Sequence, residues 1–441
     1  MRALADGGVL SVTLWNKEEP PKSVLKLYAT MVEAARAFDG ESVARSFFVA
    51  SSYQSTATVL YKRGGFTADE IAKLEAHTGA MSFDEIYAPG FRFDAGQTDK
   101  ILKEYREGIF GSGPTAARDA SNPADASTAA PAEGDAEAGG PADTAEPIPA
   151  TTMGQLAWHY LIDGGWSEVA ANYVFDTRAL TNDRPYFAGY VRPADLPRIT
   201  DRLDLFQDEW GYLLIWATLG IASCGALLLV LFPVAFGWRT FFSDQPGKLM
   251  TVLYFGCLGL GYIMVEVGLI AKFTYILGNP TISAGILITA MLVSSGLGSL
   301  ASSRLILRAS RLAPVILVGI GALLLAYGGL LDHVEGAVGA LPYAGRLVAC
   351  FALISPLAFL MGFPMPTAMT WLGRLGKDEM FIWAWGINGC FSVIGSAAVP
   401  IIATSFGLSA VLEASAGAYL LAALAFGHVL KERAVVAQRA V

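Results

Sequence analysis

Glu266 stands inside a long apolar run, where an ionised acid costs about 2.5 to 3.5 kcal/mol even on the lenient insertion scale. Such a carboxyl must be protonated, paired or wet. It reads either as a group that handles a proton or a solute, or as a bundle-interior carboxylate satisfied by another helix, with Asn388 and Glu413 as candidate partners. Lys272 follows six residues on, about 9 Å along a helix axis, too far for a neighbouring-turn ion pair. Pro356, Pro364 and Pro366 interrupt a later apolar run. Each removes a helix hydrogen bond and frees a carbonyl, so the segment is either a solute-lining broken helix or a tight kink packed by small neighbours such as Gly362. Asn388, beside Trp383 and Trp385, is an interhelical hydrogen bond under an interfacial anchor or a ligand contact. Asp183-Arg184 before Pro185 binds an anionic group or pins a connection to its own domain.

Seven apolar stretches must carry these residues, at roughly 211–237, 248–271, 281–302, 312–331, 347–371, 381–404 and 408–430. Each is near the ~20 residues a helix needs to cross ~30 Å of hydrocarbon. Only Ser405 to Gly407 separate the last two, which makes that boundary the weakest of the seven. Ser295, Ser299 and Ser303, with Gly298 and Ser302, put small residues at four-residue spacing, a pattern that lets helix backbones approach closely in lipid.

Composition agrees with a membrane chain: 54% of the 441 residues are hydrophobic, and the excess lies in the second half. A formal charge of -8 without a long basic run argues against nucleic acid as a partner. Cys224, Cys257, Cys350 and Cys390 all fall in apolar runs, and His77, His159, His333 and His428 are scattered, so neither a disulfide framework nor a zinc site is indicated. His159 in an aromatic stretch reads as structural. The N-terminus lacks the apolar region of a cleavable signal peptide.

Residues 1–110 read as an α/β fragment. Gly7-Gly8 leads into a buried strand at Val9 to Trp15, followed by a helix from Pro21 to Phe38 and strands at Ser46 to Ala50 and Thr58 to Tyr61. A helix then begins at Thr67, where Thr67-Ala-Asp-Glu70 forms a capping box. Glu18-Glu19 before Pro20 is a solvated turn rather than an acid–base pair. Between 111 and 151 the sequence turns to Ala, Pro, Gly, Ser and Thr with acids, the composition of a disordered linker. Residues 152–208 form a connecting segment with an aromatic helix near Gln155, then the membrane domain at 209–432 and a tail at 433–441.

With seven crossings, Arg239, Lys248, Arg304, Arg308, Arg311, Arg374, Lys377, Lys431, Arg433 and Arg439 share one side. The positive-inside rule makes that side cytoplasmic and the soluble region external, whereas nucleotide-like cofactors are cytoplasmic. Either the count is off by one or orientation is set upstream.

In order, these pieces resemble a bacterial group of multi-pass inner-membrane proteins with a spermidine synthase-like, S-adenosylmethionine-type Rossmann domain. Leu4 to Trp15 with Pro20-Pro21 is similar to that domain's late Gly-Gly strand, and Phe66 to Ile71 to its last helix. Asn182-Asp-Arg-Pro-Tyr-Phe187 resembles the signature before the second membrane half. Gly261 to Glu266, Met361 to Pro366 and Trp383 to Gly389 resemble three of its helix motifs. The resemblance implies a transmembrane α bundle preceded by a truncated Rossmann-like fragment. It implies S-adenosylmethionine, or its decarboxylated form, for a complete relative, and no cofactor for this chain alone.

The Gly-rich loop, the ribose-binding acid and the base for aminopropyl transfer would all precede Met1. The expectation is a chain silent by itself, completed by a partner chain carrying the front strands, with Trp15 walling the pocket of an aminopropyl- or methyltransferase. Thr13, Trp15 and Glu18-Glu19 stand where authentic aminopropyltransferases tend to place a Gln and an acid just after that strand, which argues against polyamine synthesis. A carrier or channel-like module built on Glu266, the broken helix and Asn388 is the alternative, and a scaffold the blandest one. Half a parallel sheet needs its edge covered, by another chain or by the helix near Gln155.

Overall fold

The computed structural model describes residues 1, 4–16, 20–40, 42–52, 56–110, 150–199, 210–236, 248–304, 306–374 and 380–439. Glu18-Glu19 and nearly all of the acidic linker lie outside them. The chain divides into two units, Met1–Thr181 with Tyr186–Trp210, and Asn182–Pro185 with Gly211–Val441.

The first unit holds four strands, β1 (Val9–Trp15), β2 (Phe47–Ser51), β3 (Thr56–Lys62) and β4 (Asp84–Tyr87), in the order β1-β3-β2-β4. Its helices are α1 (Ser23–Asp39), α2 (Ala68–Ala80), α3 (Thr98–Phe110), α4 (Ala150–Asp163), α5 (Trp166–Asn172) and α6 (Leu196–Ile199). All three strand pairings are antiparallel, which corrects the parallel sheet expected from the sequence. β1 and β2 each run against β3 and therefore share one direction, with α1 as the crossover between them. The reversed strand β3 sits between the two and is the strand that pairs with β1.

β2, apolar from Phe47 to Ala50, is buried throughout, and β3 alternates between buried and half-buried. β1 also alternates, but between exposed and half-buried, so it is an edge strand and not the buried one its apolar sequence predicts. The helix near Gln155 does not cover it. α4 packs on α1 and β4 instead, where Gln155 Nε2 donates to the Glu85 carbonyl (3.1 Å). Trp158 of α4 is fully buried, stacked on Tyr87 at 4.9 Å and tilted against Phe47 and Tyr28. The Thr67/Glu70 capping box opens α2.

Lys26 of α1 is 2% exposed and belongs to this unit's interior. Its ammonium donates to the carbonyls of Gly189 (2.7 Å), Phe187 (3.1 Å) and Tyr186 (3.4 Å) and lies 4.6 Å from the Tyr190 ring centroid. A buried ammonium is tolerated because the carbonyls replace its hydration. Lys26→Met keeps the apolar stem but strips these carbonyls of their donor. The expected loss is about 1–3 kcal/mol of unit stability, read as an earlier denaturant midpoint, with Lys26→Arg recovering part of it.

The second unit is a bundle of α7 (Trp210–Phe236), α8 (Lys248–Leu277), α9 (Pro280–Arg304), α10 (Ile306–Gly339), α11 (Tyr343–Met361), α12 (Pro364–Arg374), α13 (Met380–Phe406) and α14 (Leu408–Arg439). α11 and α12 form one interrupted span, giving seven helical segments long and apolar enough to cross a membrane. α14 runs on through the segment expected to be a tail. Gly407 alone separates α13 from α14, with φ of 107° in the left-handed region that favours glycine.

α8 is the centre of the bundle: 61% of its apolar 18-residue stretch is buried, against 6% for that of α7. Glycines set its neighbours' distances. A Cβ on Gly259 would overlap the Asn388 carbonyl of α13, and one on Gly261 would press on the Tyr419 ring of α14. At the α9–α11 crossing, Gly298 abuts the Phe359 carbonyl and Gly362 the Ser295 carbonyl. Small residues let backbones meet where lipid provides no hydrophobic drive between helices.

Candidate functional site

The membrane unit places most of the residues singled out from the sequence, and it divides them among three seams. Asn388 lies between α13 and α8, where its amide donates to the Phe255 carbonyl (3.2 Å), while Ser392 one turn on donates to the Gly259 carbonyl (3.1 Å). Asn388 is therefore a helix-pairing residue and not the partner of Glu266. Glu413, the other candidate partner, is exposed on α14 and makes no hydrogen bond or ion pair with Glu266.

Pro364 and Pro366 open α12 after the break at Gly362-Phe363. The Leu360 carbonyl, which Pro364 leaves without its i+4 amide, accepts from the Phe363 amide (3.1 Å), while Tyr254 donates to the carbonyl of Pro364 itself (3.0 Å) and Thr370 back-bonds to that of Pro366 (2.9 Å). Upstream, Tyr327 donates to the Leu353 carbonyl beside Pro356. The break is thus tied down at its α12 side and abuts α9 at Ser295.

Ser295 connects that break to Glu266. Tyr262, one turn before Glu266 on α8, meets the Ser295 side chain and lies in the field of the Glu266 carboxyl. Glu266 is half-buried and makes no hydrogen bond or ion pair with any described residue. Glu266 and the interrupted span, distant in sequence, therefore converge on one polar seam between α8, α9 and the α11–α12 junction.

Asp183 forms the third centre. Its Oδ1 accepts from the Ser409 amide (2.7 Å) and hydroxyl (2.6 Å), and its main-chain carbonyl accepts from the Leu408 amide (2.8 Å). Lys272, 1% exposed, places its ammonium 3.4 Å from the same Oδ1. The carboxylate caps the positive end of α14, and the lysine lies in the last turns of α8, at its negative end. Asn182 reaches Glu335 of α10 (3.4 Å), and Arg184 is half-buried. This arrangement explains both Lys272, whose partner is no residue of its own helix, and Gly407, where a Cβ would overlap the Asp183 carboxylate.

Sequence reasoning missed the Lys272–Asp183 pair because its two halves come from different elements. A lysine isolated in an apolar run was the available signal. It also missed Tyr254 as the donor to the broken helix and Lys26 as the centre of the Tyr186–Gly189 turn.

In the first unit, Trp15 ends β1 and is 63% exposed. The β1–α1 connection holds Pro20 and Pro21 and no glycine, and Asn16 within it donates to Ser51 Oγ (2.8 Å). That connection does not fit the phosphate- or sulfonium-side grip of a nucleoside cofactor, which needs close backbone approach over glycines. Among the described residues no three His, Cys, Asp or Glu side chains gather in a metal-binding group. An open apolar cleft of about 870 Å³ lies between α7 and α13, lined by residues including Gly225, Ala226, Trp383, Gly386 and Gly389, with no charged side chain among the described residues that border it.

Fold and site together define a multi-pass membrane protein with an appended α/β unit. No family model, curated protein or solved structure matches the chain.

Proposed function

We propose that this chain is a spermidine synthase-like protein of the bacterial inner membrane whose α/β unit works by accepting further strands along β1. The partner chain brings the strands and loops that grip S-adenosylmethionine or its decarboxylated form. Aminopropyl or methyl transfer then belongs to the pair, with Trp15 at the strand end bordering the pocket.

The edge of β1 carries this reading. Seven residues long, it contains no charge and no proline, the devices that normally blunt an edge. Leu10, Val12 and Leu14 are only half-buried, and Val9 and Trp15 are exposed. The opposite edge is different, because α4 packs on β4 there. An open apolar edge beside a covered one fits a sheet that continues into another chain.

Hydrogen exchange tests it. Outward-facing β1 amides should exchange at least tenfold more slowly in the complex extracted from its native membrane than in the chain purified alone. Equal exchange in the two preparations would remove the partner. Micromolar affinity of the purified chain alone for S-adenosylmethionine would remove the division of labour.

A further inference from the structure

Most polar groups described at the centre of the membrane bundle have protein partners, and Glu266 is the one ionisable group among them without any. Asn388 and Ser392 bond carbonyls of α8, Ser415 bonds the Gly261 carbonyl (2.8 Å), and Lys272 is paired with Asp183. Glu266 bonds nothing among the described residues. It lies 18 residues from the start and 11 from the end of α8, about 27 Å and 16 Å along the axis, so each end of the span is more than two turns away. A carboxyl at that depth without a cation or donor must be neutral or in contact with water.

We propose that Glu266 is a proton-binding site that exchanges its proton with the aqueous phases on the two sides of the membrane. The proton moves from water onto a carboxylate oxygen and leaves to water again, with no other bond changed. Tyr262 is the titratable group facing it, on its own helix, and Ser295 is the polar group that α9 brings to Tyr262. Neither carries a positive charge, so no described residue compensates an ionised Glu266, and the ionised state lasts only while water reaches it. The helix interruption on this seam is the Gly362-Phe363 break, whose backbone packs directly on Ser295, so water enters there only when α9 and α11 part. This site is independent of β1 and of any partner chain.

The test uses the full chain in liposomes containing a pH-sensitive dye, with a pH gradient imposed across the bilayer. Wild-type protein should dissipate the gradient at least tenfold faster than E266Q, and E266D should retain most of the rate. Equal rates for wild type and E266Q, or a wild-type rate no higher than that of empty liposomes, would overturn the proposal. A sodium flux abolished by E266Q without any proton flux would overturn the choice of ion. Infrared spectroscopy of the wild type covers the case in which E266Q does not fold. A protonated-carboxyl band at neutral pH that shifts in D₂O and in E266D is expected, and its absence would sink the assignment.

Discussion

Asp183→Ala should lower the stability of the membrane bundle by about 2–4 kcal/mol, seen as an earlier unfolding midpoint in detergent. Two losses combine. The first turn of α14 loses the acceptor for the Ser409 amide and hydroxyl, and Lys272, 1% exposed, loses its counter-charge. Removing one member of a buried pair costs about 3–5 kcal/mol in general, and the partial exposure of Asp183 reduces that here. Asp183→Asn separates the terms, since it keeps an acceptor for Ser409 but not the charge, and its loss should be intermediate. A double-mutant cycle with Lys272→Met reports the pair directly. A coupling energy indistinguishable from zero would show that the lysine is held by other contacts.

Gly298→Val should be at least as damaging, with an expected loss of about 3 kcal/mol or more. Even a single Cβ at this position overlaps the Phe359 carbonyl, and the next neighbour is the Gly362 backbone at 3.4 Å. Backbone cannot step aside as a side chain can, so α9 and α11 must separate, and the contact between Ser295 and the broken span separates with them. Gly296, two residues earlier on the same helix, has open space around it. Gly296→Val is the internal control and should change stability by no more than about 0.5 kcal/mol. If the two variants unfold together, the close crossing of α9 and α11 is not what holds this seam.

The contrast between those two glycines marks how far the amino-acid order can be read. Its four-residue pattern of small residues, with Gly298 in it and Gly296 outside it, announced a close helix contact, but only the partner helix decided which backbone Gly298 meets. Asn388 shows the same limit. A buried amide in an apolar run had to find a partner, and whether that was Glu266 or a carbonyl of α8 depended on how α8 and α13 rotate against each other. The α/β unit shows it again: strand positions were legible from their apolar runs, yet β1 was read as buried and the sheet as parallel. The insertion of β3 between β1 and β2 decided otherwise.

What the sequence alone determined is whatever local chemistry imposes within one element. Runs of about twenty apolar residues must be helical in lipid, because every backbone polar group has to be bonded within its own segment. A Thr-x-x-Glu box satisfies the first amides of α2 wherever that helix lies. Tertiary structure alone decided which charges meet. Asp183 and Lys272 are 89 residues apart and share no periodicity, and their pairing follows from α8 ending beside the start of α14. Among the described residues Glu266 has no such partner, although its residue type and surroundings demanded one as strongly as those of Lys272.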